Sequence, residues 1–323
     1  MLNKITYPVC ANTFKNWYLS NYNYRQLYYD LGEPSLFDVS LRDGLQGLSK
    51  EESKEFTTNQ KFEMYRAINF KYTPKNIEIG SLVSEKVLPI FKDTLELYEL
   101  TEKYQTQNHP LDKIKKQNTF ILIPNREKLK YVINDCNISN LSFITSVSSS
   151  FQKKNAKMTL EESDNDILTM LHDLDENIYR KYPPFIKLYV SCINECPIEG
   201  KIDNDFIVNR ILNLNKMNID SICLSDTCGT LTQDDFEYIV DTCYYFGIPF
   251  KKFSLHLHVR TGRETEIENI IHQALERKIL NFDVSTLETG GCSVTMDKNR
   301  LTPNLSYELY YKSLCKYIIR KNL

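Results

Sequence analysis

The sequence lacks any apolar run that approaches the length of a bilayer span, and its beginning has no compact apolar segment followed by a cleavage site. It also lacks a basic stripe, because Lys and Arg are interspersed with Asp and Glu and the formal net charge is -2. Nucleic-acid-binding chains cluster positive charge on one face. Neither nucleic acid nor a membrane is therefore an expected partner, and the expected location is the cytoplasm.

The first 29 residues contain no Asp or Glu, although Lys4, Lys15 and Arg25 are present. Organelle-targeting segments share this lack of acidic residues, but they favour Arg and Ser, whereas this stretch is rich in Tyr and Asn. We therefore favour an N-terminal extension over a targeting segment. The nine cysteines are scattered along the chain without a secretory signal, so reduced thiols are expected rather than a disulfide framework.

Glycine is scarce, at 10 of 323 residues, and no glycine-rich phosphate turn follows the first predicted strand. A doubly wound sheet that binds a dinucleotide usually carries such a turn. This chain has Arg42-Asp43-Gly44-Leu45-Gln46 there instead. No internal repeat or Pro-rich linker divides the sequence, which favours one large domain.

Short β-rich runs alternate with longer stretches of helical spacing, which is typical of a parallel sheet with crossover helices. The predicted strands are Leu36–Leu41, Asn76–Leu82, Thr119–Ile123, Leu141–Val147, Phe185–Ser191, Ser221–Ser225, Phe253–Val259 and Asn281–Ser285. The predicted helices are Glu85–Lys103, Asn125–Cys136, Leu160–Tyr179, Asp205–Met217, Asp234–Phe246 and Thr265–Arg277, and Tyr104–Gln117 is predicted to be a connection. About eight strand-helix units predict an α/β fold of the TIM (β/α)8 class, with an N-terminal extension over 1–35, a catalytic barrel over 36–323 and a C-terminal helix.

The C-terminal ends of barrel strands form the active-site face of such folds. Polar side chains fall at several of these ends, namely Arg42, Asp43, Glu78, Ser191, Cys192, Asp226, Thr227, His256 and His258. His256 and His258 lie two apart on a predicted strand, so alternation places both imidazoles on the interior face. With Asp43 they could bind a divalent metal that stays open to substrate, although a lone His-X-His can also be a satisfied or exposed pair.

Two other features can be interpreted either as catalytic or as merely structural. Asp43 could be a helix cap and Arg42 its ion-pair partner, but two charged neighbours leaving an apolar strand also suit a site that handles an enolate. Gly290-Gly291-Cys292 follows the eighth strand, where paired glycines can carry a thiol over the barrel mouth. The alternative is an incidental loop cysteine, and spacing alone does not separate the two.

Together these motifs resemble the 3-hydroxy-3-methylglutaryl-CoA (HMG-CoA) lyase family of metal-dependent barrels, from about Leu36 to Tyr310. The similar segments are Arg42–Gln46, Ile77–Ser84, Ser148–Asn155, Val190–Cys192, Cys196–Lys201, Ser225–Gly229, His256–His258 and Gly290–Cys292. Gly290-Gly291-Cys292 points to cleavage, because the condensing synthases of this group have a Glu-Arg-containing glycine loop at that place.

The resemblance implies that Asp43, His256, His258 and Asn304 bind Mg²⁺ or Mn²⁺. It further implies that Arg42 stabilises an enolate, Cys292 transfers a proton, and Glu78 and Asp226 support the site, with Asp226 or His256 taking the first proton directly or through water. The implied reaction cleaves HMG-CoA to acetoacetate and acetyl-CoA. An acyl-CoA substrate and a second copy of the chain in a homodimer are the expected partners.

This sequence departs from the family pattern at two places. Val259-Arg260-Thr261-Gly262 stands where the family has an acid followed by a Thr-Tyr-Gly-like run, and the loop after Cys292 lacks the Pro-Tyr-Ala continuation. Pro303-Asn304-Leu305 replaces the family's Gly-Asn-Leu. A barrel enzyme acting on another acyl substrate, by aldol cleavage or by condensation, and a catalytically weakened binding or scaffold relative are the alternatives.

Overall fold

Eight parallel strands close into a barrel in the computed structural model, which describes residues 8–108, 117–135, 138–177 and 183–322. In chain order these strands are Ser35–Asp38, Asn76–Ser81, Asn118–Leu122, Asn140–Ser146, Phe185–Ser191, Ser221–Asp226, Phe253–Leu257 and Asn281–Val284. Each strand pairs with its sequence neighbour, and the first pairs with the eighth from Ser35 opposite Asn281 to Asp38 opposite Val284. The predicted (β/α)8 barrel is confirmed.

Helices surround the barrel and flank it at both ends of the chain. Their bounds are Ala11–Leu19, Tyr22–Leu31, Lys50–Glu55, Thr58–Tyr72, Thr94–Asn108, Arg126–Leu129, Ser149–Ala156, Leu160–Asp175, Asn204–Leu214, Gln233–Tyr245, Glu264–Glu276 and Tyr307–Lys321. Several begin at capping boxes, in which a Ser or Thr hydroxyl and a Glu or Gln three residues later satisfy amides of the first turn; Thr159 with Glu162 is one example. A two-stranded antiparallel pair, Glu195–Cys196 with Gly200–Lys201, follows the fifth strand.

Side-chain alternation along the strands produces two packed layers of different character. The outward layer is apolar and packs beneath the helices, as where Phe282 lies 5.1 Å from the Tyr310 ring. The inward layer contains charge: Lys187 forms an ion pair with Asp283, and its ammonium lies 3.4 Å from the centre of the Phe37 ring. The barrel interior is therefore partly ionic.

The N-terminal extension and the C-terminal helix pack on each other and on the barrel. Phe14, on the first helix, lies 5.4 Å from the ring of Tyr311. The Tyr307 hydroxyl, at the start of the last helix, donates a 2.8 Å hydrogen bond to buried Asp38 on the first strand. The division at residue 35 stays a prediction. Among the described residues, no helix combines the length and apolar character needed to cross a membrane.

Several predicted bounds are wrong, each for a local reason. The first strand ends at Asp38 and the chain enters a π-helical turn over Ser40–Gly44, because Val39 leaves the extended conformation. The predicted helix Glu85–Lys103 is instead a short 3-10 turn over Pro89–Phe91 and a helix that begins only at Thr94 and continues to Asn108, into the predicted connection.

Three other bounds also differ. The helix predicted from Asn125 is regular only over Arg126–Leu129, and Cys136 lies outside the described residues. The helix predicted over Leu160–Tyr179 ends at Asp175, and Tyr179 is likewise outside them. The seventh strand ends at Leu257, and His258 forms a separate bridge with Asn304.

Candidate metal centre and active site

The π-helical turn after the first strand aims two charged side chains at the barrel mouth. Arg42 and Asp43 lie on this turn, and both are almost fully buried. Arg42 Nη1 donates to Asp43 Oδ1 at 2.5 Å. Burial alone would raise the pKa of Asp43, but the neighbouring guanidinium and the imidazoles of His258 and His256 hold it well below its usual range. Asp43 is therefore a carboxylate at neutral pH.

Glu78, on the second strand, holds the other side of the Arg42 guanidinium. Its Oε2 accepts hydrogen bonds from Arg42 Nε and, at 3.1 Å, from the Tyr189 hydroxyl. The Arg42 guanidinium also lies over the Tyr189 ring, 4.8 Å from its centre. Three groups thus fix one arginine, which leaves its remaining N–H groups oriented by the protein rather than by solvent.

The predicted ligands converge on one point. His256 Nε2 lies 3.2 Å from His258 Nε2, and Asp43 Oδ2 lies 3.7 Å and 3.4 Å from these two nitrogens. These three residues form a buried group that could hold a metal ion. The structure thus brings together the two histidines that strand alternation indicated and Asp43, which was predicted from its position at the end of another strand.

The opposite ring nitrogens determine which atoms face this point. His256 Nδ1 lies 3.0 Å from Asp283 Oδ2, and His258 Nδ1 lies 3.2 Å from the Thr227 carbonyl oxygen. A carboxylate and a carbonyl only accept, so both Nδ1 atoms carry the proton and neutral Nε2 atoms present lone pairs. Three acceptors that face one another repel, and a cation between them removes that repulsion. The donor set therefore fits a divalent metal.

Asn304 lies beside this group, on the C-terminal segment. Val259 N donates to Pro303 O at 2.8 Å, and Leu305 N donates to Leu257 O at 2.9 Å, which places Asn304 beside His258. A Cβ added to Gly290 would lie 2.3 Å from Asn304 Nδ2 and 3.1 Å from Asp43 Oδ2. Asn304 Oδ1 is buried and has no hydrogen-bond partner among the described residues, so it is available as a metal ligand.

The loop after the eighth strand carries Cys292 into the mouth. Gly291 N donates to Asp43 Oδ2 at 2.9 Å, and Cys292 Sγ donates to Asn155 Oδ1 at 3.3 Å. Lys154 Nζ donates to Thr295 O at 3.1 Å and attaches the same loop to the helix Ser149–Ala156. Burial raises the pKa of the Cys292 thiol, so it is protonated at neutral pH.

A cavity of 430 Å³ opens at this face of the barrel. Its lining includes Arg42, Asp43, Asn155, Tyr189, His256, His258 and Cys292, with Lys128 and Lys157 among the others. Glu78 and Asp226 are fully buried and are not among the lining residues. The cavity thus joins the metal group, the arginine and the thiol in one space.

Asp226 lies behind the site rather than in the cavity. Its two carboxylate oxygens accept hydrogen bonds of 3.0 Å from the amides of Thr230 and Leu231. Burial raises the pKa of Asp226 despite these bonds. Its contacts hold the loop after the sixth strand, whose Thr227 carbonyl accepts from His258.

Sequence analysis did not identify four residues of the site: Asn155, Lys187, Tyr189 and Asp283. Lys187 and Tyr189 lie two positions apart on the fifth strand and therefore share one face of it. Asp283 shares a face with Asn281 on the eighth strand in the same way. Period-two alternation places such side chains inside the barrel, and this signal could have found three of them. Asn155 lies on a helix, so alternation does not mark it, although it ends Ser148–Asn155, one of the segments similar to the family.

A TIM barrel with Asp, His and His converging at its C-terminal mouth, beside a fixed arginine and a loop thiol, defines a lyase or synthase barrel with a candidate divalent-metal centre. The HMGL-like family model matches residues 33–265, so the chain belongs to that family. It is an HMG-CoA lyase-like enzyme.

Named relatives agree with this membership. The mitochondrial hydroxymethylglutaryl-CoA lyase of Bos taurus is 25% identical over 278 residues, which cover 85% of this chain and 77% of the relative. The cytoplasmic 3-hydroxy-3-methylglutaryl-CoA lyase of Rattus norvegicus is 25% identical over 257 residues, covering 80% and 68%. These relatives include both mitochondrial and cytoplasmic forms, so they do not determine a location.

Solved structures share the fold. The HMG-CoA lyase of Brucella melitensis has a TM-score of 0.71 and 21% identity, covering 88% of this chain and 90% of that one. An HMG-CoA lyase of Acinetobacter baumannii, solved in complex with coenzyme A and 3-methylmalate, has a TM-score of 0.71 and 23% identity, covering 89% and 85%.

Proposed function

We propose that this enzyme is a divalent-metal-dependent lyase that cleaves HMG-CoA to acetoacetate and acetyl-CoA. The observation that carries the proposal is the set of three converging acceptors, Asp43 Oδ2, His256 Nε2 and His258 Nε2, in one cavity with Arg42 and Cys292. Asn304, with its unpartnered Oδ1, completes the proposed ligand set. Mg²⁺ or Mn²⁺ at this point would polarise the C3 hydroxyl of the substrate and neutralise its carboxylate.

Arg42 has the position and charge to stabilise the enolate that forms when the C2–C3 bond breaks. Glu78 and Asp43 hold its guanidinium on two sides, so the charge needs no reorientation as negative charge develops on the thioester oxygen. Glu78 is a positioning residue in this scheme, because it contacts Arg42 and does not line the cavity.

Cys292 supplies the proton that converts the enolate to acetyl-CoA. Its raised pKa keeps the thiol protonated, and Asn155 holds it over the cavity. One proton leaves the substrate hydroxyl and one is gained at carbon, so with two different groups the base releases its proton to solvent after each turnover. The thiolate of Cys292 then recovers a proton from solvent.

The first proton, from the substrate hydroxyl, goes to His256 or Asp226 in our proposal. His256 lines the cavity but could accept only while its Nε2 is not bound to the metal, because its Nδ1 already carries a proton toward Asp283. Asp226 lies behind the cavity and would act through water. An Asp226→Asn variant distinguishes them by its pH profile: a base must be deprotonated to act, so loss of the acid-limb pKa from kcat assigns the proton to Asp226.

An acyl-CoA substrate fits the rim of the cavity. Lys128 and Lys157 are on its lining, and their ammonium groups would attract the phosphates of a CoA moiety. The cytoplasmic location and the homodimer stay predictions.

The decisive experiment incubates the purified protein with Mn²⁺ and HMG-CoA and measures acetoacetate. We expect turnover in the wild type, no turnover in His258→Ala because the metal is lost, and about a 10³-fold loss in Cys292→Ala with Mn²⁺ binding retained. Ser293→Ala, on the neighbouring loop position, is the matched control and should keep most of the activity. Folded, Mn²⁺-loaded wild type that produces no acetoacetate would refute the proposed substrate.

A further inference from the structure

A chain of polar contacts runs through the barrel interior, from the candidate metal ligand His256 toward the N-terminal face. His256 Nδ1 donates to Asp283 Oδ2 at 3.0 Å, and Asp283 Oδ1 accepts from Lys187 Nζ at 2.5 Å. The side chains of Asp283 and Lys187 are 1% and 3% exposed. A buried charge pair of this kind needs every member, since removal of one partner leaves the other uncompensated.

Lys187 is itself held on several sides. Its ammonium lies 3.4 Å from the centre of the Phe37 ring and 4.5 Å from that of Tyr189. The Tyr189 ring also meets His256 edge-on, at 5.7 Å between centres. These contacts fix the ammonium, and the ammonium in turn fixes which oxygen of Asp283 faces the imidazole.

We propose that Lys187 and Asp283 are positioning residues that hold His256 for metal binding from the opposite end of the barrel. Asp283 accepts the Nδ1 proton, so Nε2 presents its lone pair toward Asp43 and His258. Lys187 occupies the second oxygen of Asp283, so the carboxylate cannot rotate away from the ring. This inference rests on the proposed metal site and adds to it two residues that the substrate cavity does not contain.

A second cavity borders this buried pair. It occupies 260 Å³ at the N-terminal ends of the strands, and Lys187 and Asp283 line it together with Phe37, Lys251 and others. A small cation could therefore enter from the face opposite the active site and reach the position of the Lys187 ammonium. This route allows the role of Lys187 to be tested by chemical complementation.

The test measures Mn²⁺ affinity directly, from the electron paramagnetic resonance signal of free Mn²⁺ during titration of the purified protein without substrate. We expect Asp283→Asn and Lys187→Ala each to weaken Mn²⁺ binding by about 10- to 100-fold, the usual effect of removing a group that orients a metal-bound histidine. Lys251→Ala, on the same cavity, is the matched control and should bind Mn²⁺ as the wild type does.

Complementation separates positioning from general damage. Propylammonium supplies the atoms that Lys187→Ala removes, so it should restore Mn²⁺ affinity in Lys187→Ala and leave Asp283→Asn unchanged. Because a single variant leaves a buried charge, the double variant Lys187→Met/Asp283→Asn is included; it removes both charges and should bind Mn²⁺ no more weakly than Asp283→Asn alone.

The outcomes distinguish this inference from the proposed function. A wild type that binds no Mn²⁺ overturns the metal site and with it the inference. A wild type that binds Mn²⁺ while the folded Asp283→Asn or double variant binds it equally well overturns the positioning role alone, as does a folded Lys187→Ala that propylammonium fails to restore.

Discussion

Asp38 makes the stability of the barrel depend on pH in an unusual direction. This carboxyl is fully buried on the first strand, and burial raises its pKa to about 6, against an ordinary value of 3.8. Hydrogen bonds from Ser40 N, Ser40 Oγ and Tyr307 Oη favour the ionised form and limit the shift. The native protein therefore keeps a proton on Asp38 that the unfolded chain has already released between about pH 4 and pH 6.

The direction and magnitude of this pH effect on the free energy of unfolding follow from the linkage between protonation and folding. In this interval the unfolded state binds fewer protons at this group than the native state, so the free energy of unfolding falls as pH rises. Raising the pKa by about two units corresponds to about 3 kcal/mol of the free energy of unfolding. This contribution is lost progressively between about pH 4 and pH 6, and no more of it is lost above pH 6. Asp38→Asn stays neutral and escapes this loss. We expect its stability relative to the wild type to increase by about 3 kcal/mol between pH 4 and pH 7.

Urea denaturation of both proteins at several pH values measures the difference, and comparison at each pH cancels the contributions of other groups. Tyr307→Phe is the matched control. Loss of its hydroxyl removes a hydrogen bond that favours the ionised Asp38, so the pH range over which stability falls should lie higher in this variant than in the wild type. A stability difference between Asp38→Asn and the wild type that is the same from pH 4 to pH 7 would refute the reasoning.

Three further predictions concern the site. Mn²⁺ at 100 times its dissociation constant should raise the free energy of unfolding by about 2.7 kcal/mol, measured by urea denaturation, and His258→Ala should abolish this effect. Gly290→Ala would place a Cβ 2.3 Å from Asn304 Nδ2, so we expect about tenfold weaker Mn²⁺ binding by titration, whereas Gly247→Ala, with no atom nearby, should bind normally. Arg42→Lys cannot contact both flanking carboxylates, so kcat for acetoacetate release should fall about 100-fold with Mn²⁺ affinity changed less; an unchanged kcat contradicts the role of Arg42.

The barrel could be predicted because side chains repeat every two residues along a strand and about every 3.6 residues along a helix, so the alternating elements are recognisable in the sequence. The two histidines of the metal group could be predicted because alternation alone determines that His256 and His258 share a face. The sequence did not predict the π-helical turn that presents Arg42 and Asp43, since the strand-like mixture of apolar and polar residues continues through Leu41 although the backbone has already turned.

The hydrogen-bond partners of the two histidines could not be predicted from the sequence either. Val259 stands where the family has an acid, yet the partner of His258 Nδ1 is the Thr227 carbonyl, a backbone group that no side-chain pattern reveals. The partner of His256 is Asp283, and its placement depends on the register of the seventh and eighth strands. Such pairings are tertiary, so local propensity carries no record of them.

The candidate ligands also span the seam at which the barrel closes. Asp43 and His258 are 215 positions apart in the chain, and the strand that separates their parent strands, Asn281–Val284, is the one that pairs with the first. Asn304 comes from still later in the sequence. A bound ion would therefore tie the two ends of the sheet together and resist their separation, so metal capture would report completion of the entire barrel, and a chain stopped short of residue 304 could not retain it fully.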